Sequence, residues 1–335
     1  MEFIDKMKSL ASKAIKNIVL PETEDIRTLQ ATEIILKEKF ANVTLLGNEW
    51  EIRKIAAHNN ITLDGATIID PSTSSKLDYY AEKLYELRKE KGMTLENAQK
   101  LLKENSRYFA TMMVKTGDAD GYVSGASHPT ADTLKPALQI IKGAPGVKTV
   151  SAFFIMDVPD KTFGENGVFI YADSGMNENP NAEQLSDIAI TSSKSFYELV
   201  NSEGTARVAM LSYSTKGSAH SELTEKVVNA TNLAKAKAPE LLLDGELQLD
   251  AAIVPEVAER KAPGSPVAGK ANILVFPDLD AGNIGYKLTQ RLAHAKAYGP
   301  LCQGLAMPVN DLSRGCSAED IAGVVAITCV QAQNM

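Results

Sequence analysis

Short apolar runs stopped by proline, glycine or polar residues alternate with longer stretches of helical spacing along most of this chain. KNIVLPE (16–22) is apolar up to its proline and predicts a strand. EDIRTLQATEIILKEKF (24–40) sets Ile26, Leu29, Ile34 and Ile35 at helical spacing. NVTLLGN (42–48) and ATIID (66–70) predict two more strands, with a helix over EWEIRKIAAHN (49–59) between them. Residues 76–104 are charged and helix-rich, and Thr94 with Asn97 marks a helix start. Residues 108–143 read as a helix, a buried strand, a Gly/Ser loop and another helix. Such alternation predicts parallel sheet with crossover helices.

The second half continues the pattern. VKTVSAFFIMDVP (147–159), GVFIYADSG (167–175), ARVAMLSYS (206–214), LLLDGELQLDAAI (241–253) and NILVFPD (272–278) predict strands. Helices are expected over 186–202 and 223–239, and a further one through IGYKLTQRLAHAKA (284–297). KAPGSPVAGK (261–270) reads as a loop, and GAPG (143–146) as the first domain boundary. No repeat of solenoid length interrupts this organisation.

Composition narrows the function classes. The chain has 335 residues, 44% hydrophobic and 23% charged, which is ordinary for a globular protein of two or three domains. No apolar run reaches the roughly 18 residues that span a bilayer. The N-terminus lacks the apolar centre of a signal peptide. Cys302, Cys316 and Cys329 have no metal-binding spacing and suit a reducing cytoplasm. A net charge of −7 argues against a general nucleic-acid binder but leaves room for a phosphate-bearing small molecule.

The chemistry-bearing candidates are few. There is no dinucleotide fingerprint, no P-loop, no HExxH and no nucleophile elbow. DGELQLD offers Asp244, Glu246 and Asp250 either as ligands for a divalent metal or as polar positions of a strand. GASHPTAD (125–132) follows a predicted strand. It reads either as a phosphate cradle of backbone N–H groups with the Ser127 and Thr130 hydroxyls, or as an ordinary turn before a helix. PVNDLSRGCSAED (308–320) packs a hydroxyl, a guanidinium and a carboxylate into eight positions: Ser313, Arg314 and Asp320. Ser317 with Asp320 is also a helix-capping sequence. Both readings hold together, because a helix N-terminus beside an arginine suits an anion.

Residues 276–321, FPDLDAGNIGYKLTQRLAHAKAYGPLCQGLAMPVNDLSRGCSAEDI, resemble the C-terminal signature of phosphate acetyltransferases. VLPETEDIRTLQA (19–31), residues 110–142 and DGELQLDAA (244–252) carry the same resemblance, so it covers nearly the whole chain in order. It implies two α/β/α domains with mostly parallel sheets, like the isocitrate and isopropylmalate dehydrogenases, and an active site in the cleft between them. Residues 1–146 plus 299–335 would form the first domain and 147–298 the second. By position, Ser313, Arg314 and Asp320 match the family's catalytic serine, arginine and aspartate. Arg88 matches an arginine implicated in coenzyme A binding. Lys135 stands where the family usually has arginine, keeping the charge but losing the two-pronged fork. Ser127, Thr130, Asn283, Tyr286 and Lys287 complete the expected substrate contacts.

The implied reaction moves an acetyl group reversibly between coenzyme A and phosphate, with CoA, acetyl-CoA, phosphate and acetyl phosphate as ligands. No metal or redox cofactor, nucleic acid or membrane is expected, and a cytoplasmic homodimer is. Asp320 is the natural base for the CoA thiol, Arg314 the phosphate clamp, and Ser313 the donor to the developing oxyanion. An ordinary aspartate (~3.9) and thiol (~8.5) make a discrete proton transfer about 6 kcal/mol uphill, which favours transfer concerted with attack. Cys316 as an acetyl carrier is the less attractive route. A metal- and NAD-dependent decarboxylating dehydrogenase of the same fold and a non-catalytic acyl-CoA sensor remain the alternatives.

Overall fold

The proline-stopped run near the start becomes β1 (Asn17–Leu20), and the next two apolar runs become β2 (Asn42–Leu46) and β3 (Thr67–Ile69). The computed structural model describes residues 2–335. The chain divides into two compact units: residues up to Ala144 together with Leu305–Met335, and Pro145–Gly304.

In the first unit, β4 (Gly121–Val123) and a short returning strand, Val309–Asn310, join β1–β3 in one wholly parallel sheet. The return strand lies at one edge, followed by β4, β1, β2 and β3. The last helix, Ala318–Gln333, is apolar on nearly all sides and buried along most of its length, as a helix inside a core must be. It packs on the helices Phe3–Ala11 and Ile26–Glu38. Asn310 Nδ2 donates to Thr328 Oγ1 at 2.8 Å and to Gln331 Oε1 at 2.6 Å, which ties the return strand to this helix.

The second unit holds β5 (Ser151–Asp157), β6 (Val168–Ala172), β7 (Arg207–Leu211), β8 (Leu242–Leu247), β9 (Ile273–Val275) and β10 (Lys296–Gln303). The return strand of the first unit is therefore β11. The sheet order is β10-β5-β6-β9-β7-β8. Its β6, β9, β7 and β8 pair in parallel, whereas β5 pairs antiparallel with β6 and with β10. No helix lies between β5 and β6, so the chain turns straight back.

Two sequence expectations give way here. The helix expected through 297 ends at Leu292, and Lys296–Gln303 is a strand on β5. Alanine and lysine there carry helix propensity, but the ladder with β5 overrides it. The chain after 299 accordingly stays with the second unit until Gly304. The run 241–253 is a strand only to Leu247, and Leu249–Ile253 is helical.

Asp244 pins the outer strand β8. It is 3% exposed and accepts from Lys216 Nζ at 2.6 Å, Lys235 Nζ at 2.9 Å and Ser265 Oγ at 2.5 Å. Burial alone raises its pKa, and these three hydrogen bonds outweigh burial and bring it to about 2. A folded pKa below the ordinary value stabilises the native state above about pH 4, and that stabilisation is lost as pH falls toward 2. Asp244→Asn is expected to cost about 1–3 kcal/mol at pH 7, and the difference from wild type should shrink as pH drops from 4 toward 2. Urea midpoints of both proteins across that range check it.

Candidate active site

A parallel sheet binds ligands outside the carboxyl ends of its strands, at the point where strand order reverses. In the first unit that point lies between β1 and β4, because β2 and β3 continue to one side of β1 and β4 and β11 to the other. Three segments leave the sheet there: residues 21–27 after β1, 124–128 after β4, and 311–316 after β11.

Glu22 organises the first two. Its carboxylate is 2% exposed, and a buried charge needs full hydrogen bonding. Oε2 accepts from the backbone N–H groups of Gly125 at 2.7 Å and Ala126 at 2.8 Å. Oε1 accepts from the N–H groups of Ser127 at 3.4 Å and His128 at 3.1 Å, and lies 2.8 Å from His128 Nδ1. These are the N–H groups expected to cradle a phosphate. The concave array exists, and the chain's own carboxylate fills it, so the backbone cradle reading is corrected.

Arg27 joins all three segments. Its Nε and Nη2 grip Asp25 at 3.0 and 2.6 Å as a two-pronged pair. Nη2 also donates to the Ala126 carbonyl at 2.8 Å, and Nη1 to the carbonyls of Arg314 at 2.9 Å and Cys316 at 2.8 Å. The Arg27 hydrogen bond holds the Asp25 carboxyl below the usual carboxylate range, and Asp25 in turn raises Arg27. A lysine could not make this set of bonds, since it offers one nitrogen rather than a planar fork.

Two of the three expected catalytic residues, Ser313 and Arg314, sit on the segment so held, and Asp320 lies in the first turn of the helix Ala318–Gln333 that follows. Arg314 is exposed, and its guanidinium makes no hydrogen bond or ion pair among the described residues, although its backbone is fixed. Ser313 is half-buried, and its hydroxyl accepts from Gly315 N at 3.4 Å. Asp320 forms the capping box with Ser317: Oδ2 accepts from Ser317 N at 2.9 Å, and Asp320 N donates to Ser317 Oγ at 3.1 Å. Its other oxygen makes no hydrogen bond among the described residues. Cys316 is buried, and burial pushes its thiol up to about 11 despite Arg27 nearby. That keeps it protonated and poorly nucleophilic.

The expected substrate contacts divide. Ser127 Oγ donates to Glu24 at 2.9 Å, and Thr130 Oγ1 donates to Asp311 at 2.5 Å, so both hydroxyls already serve internal acceptors. Lys135 is exposed on the helix Thr130–Ile140, with no partner among the described residues. Arg88 ends the helix Leu77–Arg88, with a buried Nε that makes no hydrogen bond. In the second unit, Tyr286 is 5% exposed and stacks on Phe154 with ring centroids 3.8 Å apart, so it is a core residue rather than a ligand contact. Lys287 donates to Asn283 at 2.7 Å across one helical turn.

Neither metal reading gathers support. Asp244 is taken by two lysines and Ser265, Glu246 accepts from Ser214 Oγ and Gly217 N, and Asp250 pairs with Lys261. Glu22, Glu24 and His128 bring one ligand atom each within 4.8 Å of one another. Glu22 there is already saturated by backbone donors. Sequence reasoning passed over Glu22, Arg27 and Asp311. The available signal was position: Glu22 and Asp311 lie just beyond the carboxyl ends of β1 and β11, and Arg27 opens the helix that follows β1.

A family model described as phosphate acetyl/butaryl transferase matches residues 2–329. The chain is 61% identical over 333 residues to a phosphate acetyltransferase of Acetivibrio thermocellus, covering 99% of each. It is 48% identical over 330 residues to a phosphate acetyltransferase of Bacillus subtilis, covering 98% of each. Among solved structures, a phosphotransacetylase from Streptococcus pyogenes is similar with a TM-score of 0.91 at 43% identity, over 99% of this chain and 98% of that one.

The Glu22 array yields a test. Glu22→Gln keeps the shape but points an amide donor at backbone donors. It is expected to cost about 2–4 kcal/mol in chemical unfolding. Glu24→Gln, on an exposed neighbour, should cost under about 1 kcal/mol. Equal costs would show that Glu22 does not hold the segments together.

Proposed function

The chain belongs to the phosphate acetyl/butaryl transferase family, and on that footing we propose that it transfers an acetyl group reversibly between coenzyme A and phosphate. The observation that carries this beyond family membership is the Arg27 clasp. It fixes the backbone of Arg314 and Cys316 while leaving the Arg314 guanidinium exposed and unengaged, as an anion-binding group must be before its ligand arrives.

In the direction of thioester formation, the CoA sulfur attacks the carbonyl carbon of acetyl phosphate. The thiol proton passes to Asp320 as the S–C bond forms. Arg314 holds the phosphate oxygens in its fork, and Ser313 donates to the carbonyl oxygen as it becomes an oxyanion. The C–O bond to phosphate then breaks, and the proton on Asp320 leaves with the released phosphate. The high pKa of the Cys316 thiol supports direct transfer over an acetyl-cysteine intermediate. The scheme calls for no metal or redox group. Lys135 and Arg88 serve CoA phosphates in this reading, and the enzyme works as a cytoplasmic homodimer. The acetyltransferase relatives count against a dehydrogenase of similar fold and against a binding-only sensor.

The direct test mixes purified protein with acetyl phosphate and CoA, without metal or NAD, and follows thioester absorbance. Steady acetyl-CoA formation is expected, and its absence sinks the proposal.

Asp320 needs a separate test, because it is a helix cap as well as the proposed base. Asp320→Asn still accepts from Ser317 N, so its melting point should change little while turnover falls roughly 10²- to 10⁴-fold. Ser317→Ala removes the cap and should cost about 1 kcal/mol of stability, with a smaller effect on rate. If Asp320→Asn instead melts early with near-normal turnover per folded molecule, the base lies elsewhere.

A further inference from the structure

Three buried side-chain oxygens at this end of the first sheet complete no hydrogen bond: Ser124 Oγ, Thr133 Oγ1 and Asp311 Oδ1. They come from three elements. Ser124 follows β4, Asp311 follows β11, and the register Val123↔Asn310 sets these two residues side by side beyond the paired strands. Thr133 lies in the first turn of the helix Thr130–Ile140. Asp311 is wholly buried, and its Oδ2 accepts from Thr130 Oγ1 at 2.5 Å. The fit around it is close. A methyl group on Gly125 would stand 2.1 Å from Asp311 Oδ1 and 2.7 Å from Leu312 N.

We propose that Asp311 is a positioning residue for the acetyl transfer: its hydrogen bond with Thr130 locks the Ser313–Arg314 segment to the start of the helix Thr130–Ile140, which the neutral acid does without adding charge, whereas its ionisation puts a buried negative charge on that segment and disfavours the anionic substrate. This rests on the activity proposed above. As a neutral acid, Asp311 can accept from Thr130 on one oxygen and donate from the other. The Thr133 hydroxyl faces the carboxyl: it can accept from the neutral acid, whereas as a donor it favours the charged form. As a carboxylate, Asp311 would add a second buried negative charge near Glu22, on the segment where Arg314 is to receive phosphate.

Burial is the main cause that raises the Asp311 pKa, to about 7. The Thr130 hydrogen bond opposes burial, and the Glu22 charge adds to it. The charged and titratable groups around it are Glu22 from the segment after β1, His128 bound to Glu22, and Arg27 on the carbonyls of Arg314 and Cys316. The helix Thr130–Ile140 presents two neutral hydroxyls, and its Asp132 is exposed. A group with this folded pKa is neutral below neutrality and charged above it, so the buried negative charge beside the Ser313–Arg314 segment appears as pH rises through 7.

The test compares wild type with Asp311→Asn in acetyl transfer from acetyl phosphate to saturating CoA, between about pH 6 and pH 8 at fixed ionic strength. The ratio of variant to wild-type kcat/KM for acetyl phosphate cancels the titration of thiol and phosphate themselves. It is expected to rise roughly tenfold over that range, mostly through KM, because the amide stays neutral throughout. Thr130→Val removes the hydrogen bond that favours the ionised form, so the inflection should move to higher pH. A flat ratio in an active enzyme overturns the proposal. If Asp311→Asn does not fold, an inflection that stays put or moves to lower pH in Thr130→Val overturns it. No transfer by the wild type removes the activity reading, and this proposal with it.

Discussion

A carboxylate buried at the end of a β-strand must collect donors, and Glu22 collects them from the backbone. Four consecutive N–H groups, Gly125 to His128, converge on its two oxygens. Those N–H groups would otherwise be unsatisfied beyond β4, and the carboxylate would be unsatisfied beyond β1. Each solves the other's problem, and the loop after β4 has little freedom left. The second unit uses the same device. Asp173, just past β6, accepts from the N–H groups of Gly175, Met176 and Asn177. Burial raises its pKa against those bonds. Glu246 likewise accepts from Gly217 N and Ser214 Oγ across β8 and β7.

Arg27 adds the third segment by a different logic. Its donors satisfy carbonyl oxygens of Ala126, Arg314 and Cys316, which a turning loop cannot pair among themselves. Backbone and side chain therefore have separate roles between 311 and 316. The backbone is immobilised by Arg27 and by the Asp311–Thr130 bond, while the Arg314 guanidinium stays unengaged. Preorganisation of this kind lowers the ordering cost when an anion binds. The proposed anion site therefore uses no glycine-rich cradle, because the N–H array after β4 is spent on internal order.

The capping box at Ser317 and Asp320 shows that structural and chemical readings of one residue need not compete. The box uses one carboxylate oxygen, and the other makes no hydrogen bond among the described residues. Burial, not position, raises the pKa of the Cys316 thiol in the same turn and so counts against a nucleophilic role.

Sequence alone was enough for the α/β class, for most elements and for the family. Apolar runs bounded by proline and polar residues mark buried parallel strands wherever they occur, and that signal is local. The run 308–320 was legible as a candidate site for the same reason, since its hydroxyl, cation and carboxylate are neighbours in the chain. Partners distant in sequence were not legible. Lys296–Gln303 is a strand only because β5 lies beside it, and Tyr286 is core only because Phe154 lies under its ring. Glu22 meets residues about a hundred positions away, and Arg27 meets Arg314 and Cys316 across nearly 290. A charge's partner is chosen by what burial brings near it, so only the tertiary structure decided that Glu22, and not a ligand, fills the N–H array after β4.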